Sequence, residues 1–266
     1  MQALCLAVMS DPLPCAQAHA EPTDALMADL RRDGYARLTP AVTRTLLQAR
    51  GGLGDWPAFA AAWDDLGTDT YLAATGRRRR RRHGAFVIAR GQPPQVLPPQ
   101  PHYQRLQYNP LQGGVARWFA PLQPDFAASL TLTAALTWLR DVAEYLQPYV
   151  RTWHCEVHPF RIEASGAQAG EPTPEGMHRD GVDWVLVLLV QRHNIAEGVT
   201  RIADPAGRDL GHFTLAEPLE AVVLDDRRVL HGVTPVRPLD AARPAWRDVL
   251  VLTLRAEDTT STAAHG

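Results

Sequence analysis

The chain has 266 residues, 45% of them hydrophobic and 21% charged, the make-up of an ordinary soluble globular protein with room for one large core. A net charge of -2 and a pI near 6.5 exclude a global field that would draw nucleic acid or an anionic membrane. No window approaches the ~18 apolar residues of a membrane span. Three scattered cysteines, Cys5, Cys15 and Cys155, exclude a disulfide framework and any C-x-x-C zinc site, so a reducing, cytoplasmic setting is expected.

Residues 1–22 read as a loose leader rich in Ala and Pro. Leu4 to Met9 is apolar and Ala16-Gln17-Ala18 resembles a cleavage site. However, no Lys or Arg precedes the apolar run, and Asp11, Pro12 and Pro14 interrupt it, so no secretory signal is expected. Thr23-Asp24 caps a predicted helix that runs to about Asp33, where Gly34 ends it. Tyr35 to Leu38 is a short strand. Pro40 opens a second helix that Gly51-Gly52 closes. A third spans Asp55 to Leu66, with Trp56, Phe59, Ala60 and Trp63 at helical spacing.

Gly76 precedes six arginines, Arg77 to Arg82, and then His83 to Ile88. A basic run suggests phosphate binding or a solvated face. In an acidic chain, next to strand-like residues, it reads as an exposed edge strand kept soluble by charge. Alternatively, one side of it points into a cleft for an anionic substrate. No nucleic-acid partner is expected. Residues 91–101, rich in Pro and Gln, are loop, and His102 to Pro110 is an extended segment leading to the Gly113-Gly114 turn. The longest helical pattern is Phe126 to Gln147, with Leu130, Ala134, Trp138, Val142 and Leu146 stepping by four; Pro148 stops it. It reads as a brace on the outside of a sheet.

From Val150 onward the pattern changes to strands and turns, with candidates at 152–164, 178–191, 199–204, 219–225, 228–231 and 247–255. Their spacing predicts an all-β barrel or jelly roll. The whole is an α+β chain with a mainly β core, N-terminal helices and a long bracing helix. Its expected division is one domain over 23–257 (extension 23–148, jelly-roll core 149–257) with a flexible tail over 258–266.

Chemistry is suggested at the start of the strongest strand, where His178 and Asp180 precede the apolar run Trp184 to Val190. Side chains two apart on a strand share a face. The downstream histidines are His193 in a turn-like run, His212 before a loop, and His231 at a strand end beside Gly232. His231 suits a chain that has gone round a barrel and returned. Two His and one carboxylate on one side of a metal make the facial triad of non-haem Fe(II) sites; an ordinary hydrogen-bonded His-Asp pair is the alternative. Arg247 opens the apolar strand Asp248 to Leu254. A buried guanidinium needs a counter-ion, and its fork suits a carboxylate. That anion is either a dicarboxylate chelating the metal or an internal partner, Asp226 or Asp248.

The segments Pro172 to Val185, Leu224 to Pro235 and Arg247 to Thr253 resemble the core motifs of a bacterial 2-oxoglutarate/Fe(II) dioxygenase family. That family includes L-isoleucine 4-hydroxylase, related free-amino-acid hydroxylases and proteins named for biofilm stress and motility. The likeness extends to Tyr108-Asn109-Pro110-Leu111-Gln112-Gly113-Gly114 and the Arg-rich segment before Phe86, covering roughly residues 75–255. The resemblance implies a double-stranded β-helix of the cupin-like kind. It implies His178, Asp180 and His231 as iron ligands and Arg247 as the 2-oxoglutarate clamp, with Arg243 next in line. It further implies hydroxylation of an unactivated C–H, or oxidation of sulfur, in a free L-amino acid, using Fe(II), 2-oxoglutarate and O2 and releasing succinate and CO2. Asp180 favours hydroxylation over halogenation, which needs Gly or Ala there. Glu197-Gly198 and Gln191-Arg192-His193 depart from the family pattern and are expected to flank the pocket. For the substrate carboxylate the candidates are Arg161 or an inward member of Arg77 to Arg82; for its ammonium, Glu163 and Asp183. His158 reads as a packed core residue or a support to the site. The competing functions are a non-catalytic metabolite sensor on the same fold and a peptide or protein hydroxylase.

Overall fold

The computed structural model describes residues 22–73, 76–166 and 168–257. The leader, apart from Pro22, and the tail over 258–266 lie outside the described residues. The helices are α1 Pro22–Asp33, α2 Pro40–Gln48, α3 Trp56–Ala61, α4 Thr70–Ala73, α5 Pro124–Ala127 and α6 Leu130–Leu146. The first strands are β1 Tyr35–Leu38, β2 Gly67–Thr68, β3 Arg79–Arg81, β4 Gly84–Ala89, β5 Gln95–Val96, β6 Thr152–Ala164 and β7 Trp184–His193. The remainder are β8 Ile195–Glu197, β9 Val199–Ala203, β10 Asp209–Thr214, β11 Ala221–Asp225, β12 Leu230–Val233, β13 Val236–Pro238 and β14 Ala245–Ala256.

A large antiparallel sheet runs in the order β1-β11-β7-β14-β6-β3-β2. β4 continues along β6 where β3 leaves it, and β5 pairs with β4. The smaller sheet β10-β9-β12 and the ribbon β13-β8 complete a jelly roll. The continuous apolar run of β7 follows from burial on both faces. Trp184, Leu186, Leu188 and Val190 join the core that packs under α1, α2, α3 and α6. Val185 and Leu189 join a second core inside the roll, with Ile202, Val222, Leu224 and Val249.

The expected single helix over 126–147 is two helices. Asp55 explains the restart: its carboxylate accepts from Ser129 Oγ, Leu130 N and Thr131 N at 2.6, 2.8 and 3.0 Å, satisfying N–H groups that a helix start leaves free. Ala134, Trp138 and Val142 are buried as expected, but Leu130, at the restart, is exposed. The strand expected over 178–191 begins only at Trp184. β10, absent from the expected strands, carries His212 on an exposed position, while Leu210 and Phe213 pack against the inner core.

Candidate active site

Alternation on β6 and β14 decides which side chains reach the interior. His154, Glu156, His158, Phe160 and Ile162 of β6 line a cavity of about 590 Å³. So do Arg247, Val249, Val251, Thr253 and Arg255 of β14. The intervening residues face the other way. Arg161 lies opposite Asp248 across the two strands and is bonded to it by two contacts of 2.8 Å, so Asp248 is the partner of Arg161 and not of Arg247. Glu163 shares that outward parity and meets Arg80 at 3.1 Å. Asp183 is also away from this cavity: it accepts from Ala256 N at 2.8 Å. The expected substrate contacts at Arg161, Glu163 and Asp183 are therefore corrected, and Arg243 is exposed on a turn. Neither Gln191-Arg192-His193 nor Glu197-Gly198 lines the cavity.

His178, Asp180 and His231 do converge. Each offers a donor atom within 4.8 Å of the other two. His178 Nε2 stands 3.6 Å from Asp180 Oδ1, and His231 Nε2 stands 3.6 Å from Asp180 Oδ2. These gaps are too long for good hydrogen bonds. They are slightly wider than the roughly 3 Å between neighbouring donors on an octahedral ion. The backbone brings the two imidazoles together through a bridge in which His178 and His231 exchange both N–H···O bonds at 2.9 Å. Segment 178–183 is a loop, not the strand extension expected. Asp226 holds it, accepting from the backbone N–H groups of Asp180, Gly181 and Val182 at 3.0, 2.8 and 3.1 Å. Gly181 has φ +82 and lies against the Tyr108 ring, where a Cβ would come within 2.4 Å; only glycine fits.

The proton positions suit a cation. His178 Nδ1 lies 3.0 Å from the Gly176 carbonyl, which can only accept. Nδ1 therefore carries a proton, and Nε2 is turned to the shared point, where a bound cation would displace the second proton that the nearby carboxylates favour. His231 Nδ1 is 3.9 Å from Asp226 Oδ1, leaving its Nε2 on the same side. Burial opposes charge on His178, but Asp180 and then Glu175 outweigh it and raise its pKa to about 9. Burial and then the charge on His178 push His231 down to about 4. Asp226 is pushed up to about 7 by burial and the charge on Asp180. Two imidazoles and a carboxylate converging on the wall of the cavity are the donor set of a non-haem Fe(II) centre.

Arg247 is 2% exposed, and its Nε and Nη2 have no hydrogen-bond partner among the described residues. Burial and then Arg192 push its pKa down to about 10, still charged at neutral pH. Neither internal partner expected for it is used, since Asp226 holds the loop and Asp248 holds Arg161. An unpaired buried guanidinium facing the cavity fits a carboxylate from outside the chain.

Sequence reasoning missed two contributors. Gln104, from the covering segment 102–117, donates from Nε2 to Asp180 Oδ1 at 3.2 Å. Its own Oε1 accepts from Asn109 and Arg117. Gly113 makes that turn possible, because a Cβ there would meet the Asn109 carbonyl at 2.4 Å. Glu175 Oε1 lies 3.4 Å from His178 Nε2. The only available signal was the Asn-Pro…Gly-Gly turn, which marks a sharp bend without saying what it covers.

The model of the family described as 2OG-Fe dioxygenase matches residues 60–253. A 3(1)-hydroxy-L-isoleucine 4-dioxygenase of Pantoea ananatis (strain AJ13355) is 27% identical over 163 residues, 59% of this chain. The match spans 65% of that relative's length. The crystal structure of a bsmA homolog from Methylobium petroleophilum PM1 is 39% identical with a TM-score of 0.80, covering 88% of this chain and 93% of that one. IDO from Bacillus thuringiensis shares the fold at 17% identity and a TM-score of 0.70, over 89% of this chain and 100% of its own. No helix among the described residues is long and apolar enough to cross a membrane. With the jelly roll, the His/Asp/His donor group and the family match in agreement, this chain belongs to the 2OG-Fe dioxygenase family, which uses Fe(II), 2-oxoglutarate and O2.

Proposed function

We propose that this chain is a dioxygenase that hydroxylates an unactivated C–H, or oxidises sulfur, of a free L-amino acid, releasing succinate and CO2. In this reading His178, Asp180 and His231 hold the iron and Arg247 holds the distal carboxylate of 2-oxoglutarate. The observation that carries it is the unpartnered Arg247 guanidinium in the same cavity as the convergent His/Asp/His group.

When bound, iron with 2-oxoglutarate activates O2 for C–H oxidation. The chain's own contribution is placement. Arg247 fixes one end of the co-substrate by a bidentate contact. The Asp226 carboxylate keeps the 178–183 loop, and hence the ligand face, in register. Gln104 orients Asp180 by donating to its Oδ1. The apolar wall at Phe160, Val249 and Val251 limits water. A volume of about 590 Å³ suits 2-oxoglutarate with one small substrate, and the name of the Pantoea relative points to an amino acid.

The test is a screen of the twenty amino acids for substrate-dependent succinate formation with Fe(II) and ascorbate. Succinate above the uncoupled rate with at least one of them is expected. None with any amino acid, while peptides support turnover, sinks the free-amino-acid reading.

A further inference from the structure

The same cavity holds a second group of titratable side chains that the iron site does not use. Arg81 and Arg117 are each 2% exposed and line the wall, and neither meets a carboxylate at ion-pair distance among the described residues. Arg81 lies over Phe119 at 3.7 Å and Phe160 at 4.5 Å, and its Nε has no partner among the described residues. Its Nη2 contacts His158 Nδ1 at 2.7 Å. Arg117 spends Nη1 and Nη2 on the side-chain oxygens of Gln112 and Gln104. Within the arginine run, alternation turns Arg79 and Arg81 to the cavity, while Arg80 and Arg82 face outward to Glu163 and Asp65. Arg79 is neutralised by Asp69 at 2.7 Å. Arg81 is not, and a buried cation without a partner calls for an anion.

Beside it stands Glu156, ringed by His83, His102 and His158. Those four have the composition of a metal site, but their hydrogen bonds argue otherwise. A guanidinium can only donate, so His158 Nδ1 accepts from Arg81 and the neutral ring carries its proton on Nε2. That Nε2 faces Glu156 Oε2 at 3.3 Å as a donor and has no lone pair for a cation. His102 Nδ1 takes the same oxygen at 2.7 Å. Glu156 is thereby held ionised: burial opposes its charge, but His102, His158 and His83 keep it well below the usual carboxylate range. Its Oε1 carries no hydrogen bond among the described residues, with His83 Nε2 standing 3.6 Å away.

One imidazole thus separates a buried cation from a half-buried anion on the cavity wall. Resting on the amino-acid reading above, we propose that Arg81 and Glu156 form the subsite for the substrate's zwitterionic end. The Arg81 guanidinium binds the α-carboxylate and Glu156 Oε1 binds the α-ammonium. His102 and His158 orient Glu156, and Arg117 adds positive potential at the carboxylate. The side chain of the amino acid is left to extend towards the His/Asp/His group.

The experiment is calorimetry on the full chain, loaded with Fe(II) and 2-oxoglutarate without oxygen. The titrants are the best amino acid from the screen, its carboxamide and its des-amino acid. Loss of either charge from the ligand should weaken binding to the wild-type chain roughly 10- to 100-fold. Arg81→Gln should lose a similar factor for the amino acid and almost nothing further for the carboxamide. Glu156→Gln should be insensitive only to removal of the amino group, and Arg81→Lys should recover part of the loss. All three should retain iron and wild-type 2-oxoglutarate affinity. Equal affinity of the wild-type chain for the acid and its carboxamide overturns the subsite without any variant having to fold. Variants that discriminate as the wild type does also overturn it. So does a second metal equivalent that Glu156→Gln removes and Asp180→Ala keeps. If no amino acid supports turnover, the function reading fails first and the subsite with it; normal turnover together with Arg81→Gln and Glu156→Gln variants that still discriminate among the three titrants as the wild type does overturns the subsite alone.

Discussion

In the group formed by His178, Asp180 and His231, both Nε2 atoms face the Asp180 carboxylate and both Nδ1 atoms are turned away from it. His178 Nδ1 is on the Gly176 carbonyl, His231 Nδ1 is turned to Asp226, and the Asp226 carboxylate holds the intervening loop. In the group formed by His83, His102, Glu156 and His158, the nitrogens instead turn towards one another's partners, and Arg81 takes the remaining lone pair of His158. Residue types are nearly the same in the two groups. What separates a cation site from a hydrogen-bonded network is which nitrogen is left free, and neighbouring donors and acceptors set that.

The sharpest way to break this comparison is to remove the carboxylate of the first group. Asp180→Ala should lose bound iron and drop succinate formation below detection while its circular dichroism stays native. Normal succinate release by that variant removes the iron assignment. Arg247→Leu comes next. It leaves a carboxylate unpaired in a dry site, a loss of about 2–5 kcal/mol, so the 2-oxoglutarate KM should rise roughly 30-fold or more. An unchanged KM moves the clamp elsewhere on the wall, to Arg255 or Arg79. Asp226→Asn, behind His231, should weaken iron binding roughly 10- to 100-fold, read by competition with a chelator. Iron affinity equal to wild type would show that the loop holds its shape without that charge.

The outward face supplies the contrast to all three. Arg161→Met breaks a largely buried ion pair with Asp248, so it should lower the melting temperature while leaving the substrate KM as it was. A raised KM at unchanged stability would return Arg161 to the pocket. The smallest effect belongs to His212→Ala: the imidazole is exposed on β10, and iron content and turnover should match wild type.

Much of the frame is legible in local pattern. The strand at Thr152–Ala164 has the bounds that its composition predicts, and the run from Trp184 is apolar on both faces because both faces are covered. The helix starts at Pro40 and near Trp56 follow from proline. Period 2 also makes Arg247 and Arg161 exclusive: each pairs across β6 and β14 with the other's neighbour, so only one of them faces the cavity.

What the chain alone could not reveal is which alternation points inward. That depends on register against strands far away in sequence. Arg161, Glu163 and Asp183 are as plausible by type as Arg81 and Glu156, yet pairing with Asp248 and Arg80 commits the first two outward. The residues of the proposed site that stand out by type and order alone are His178, Asp180, His231 and an arginine opening an apolar strand. Their distances, the free lone pairs and the Arg81–His158–Glu156 chain were decided by tertiary structure. Hydrogen bonds between groups dozens of residues apart exist only once the sheets have closed on one another.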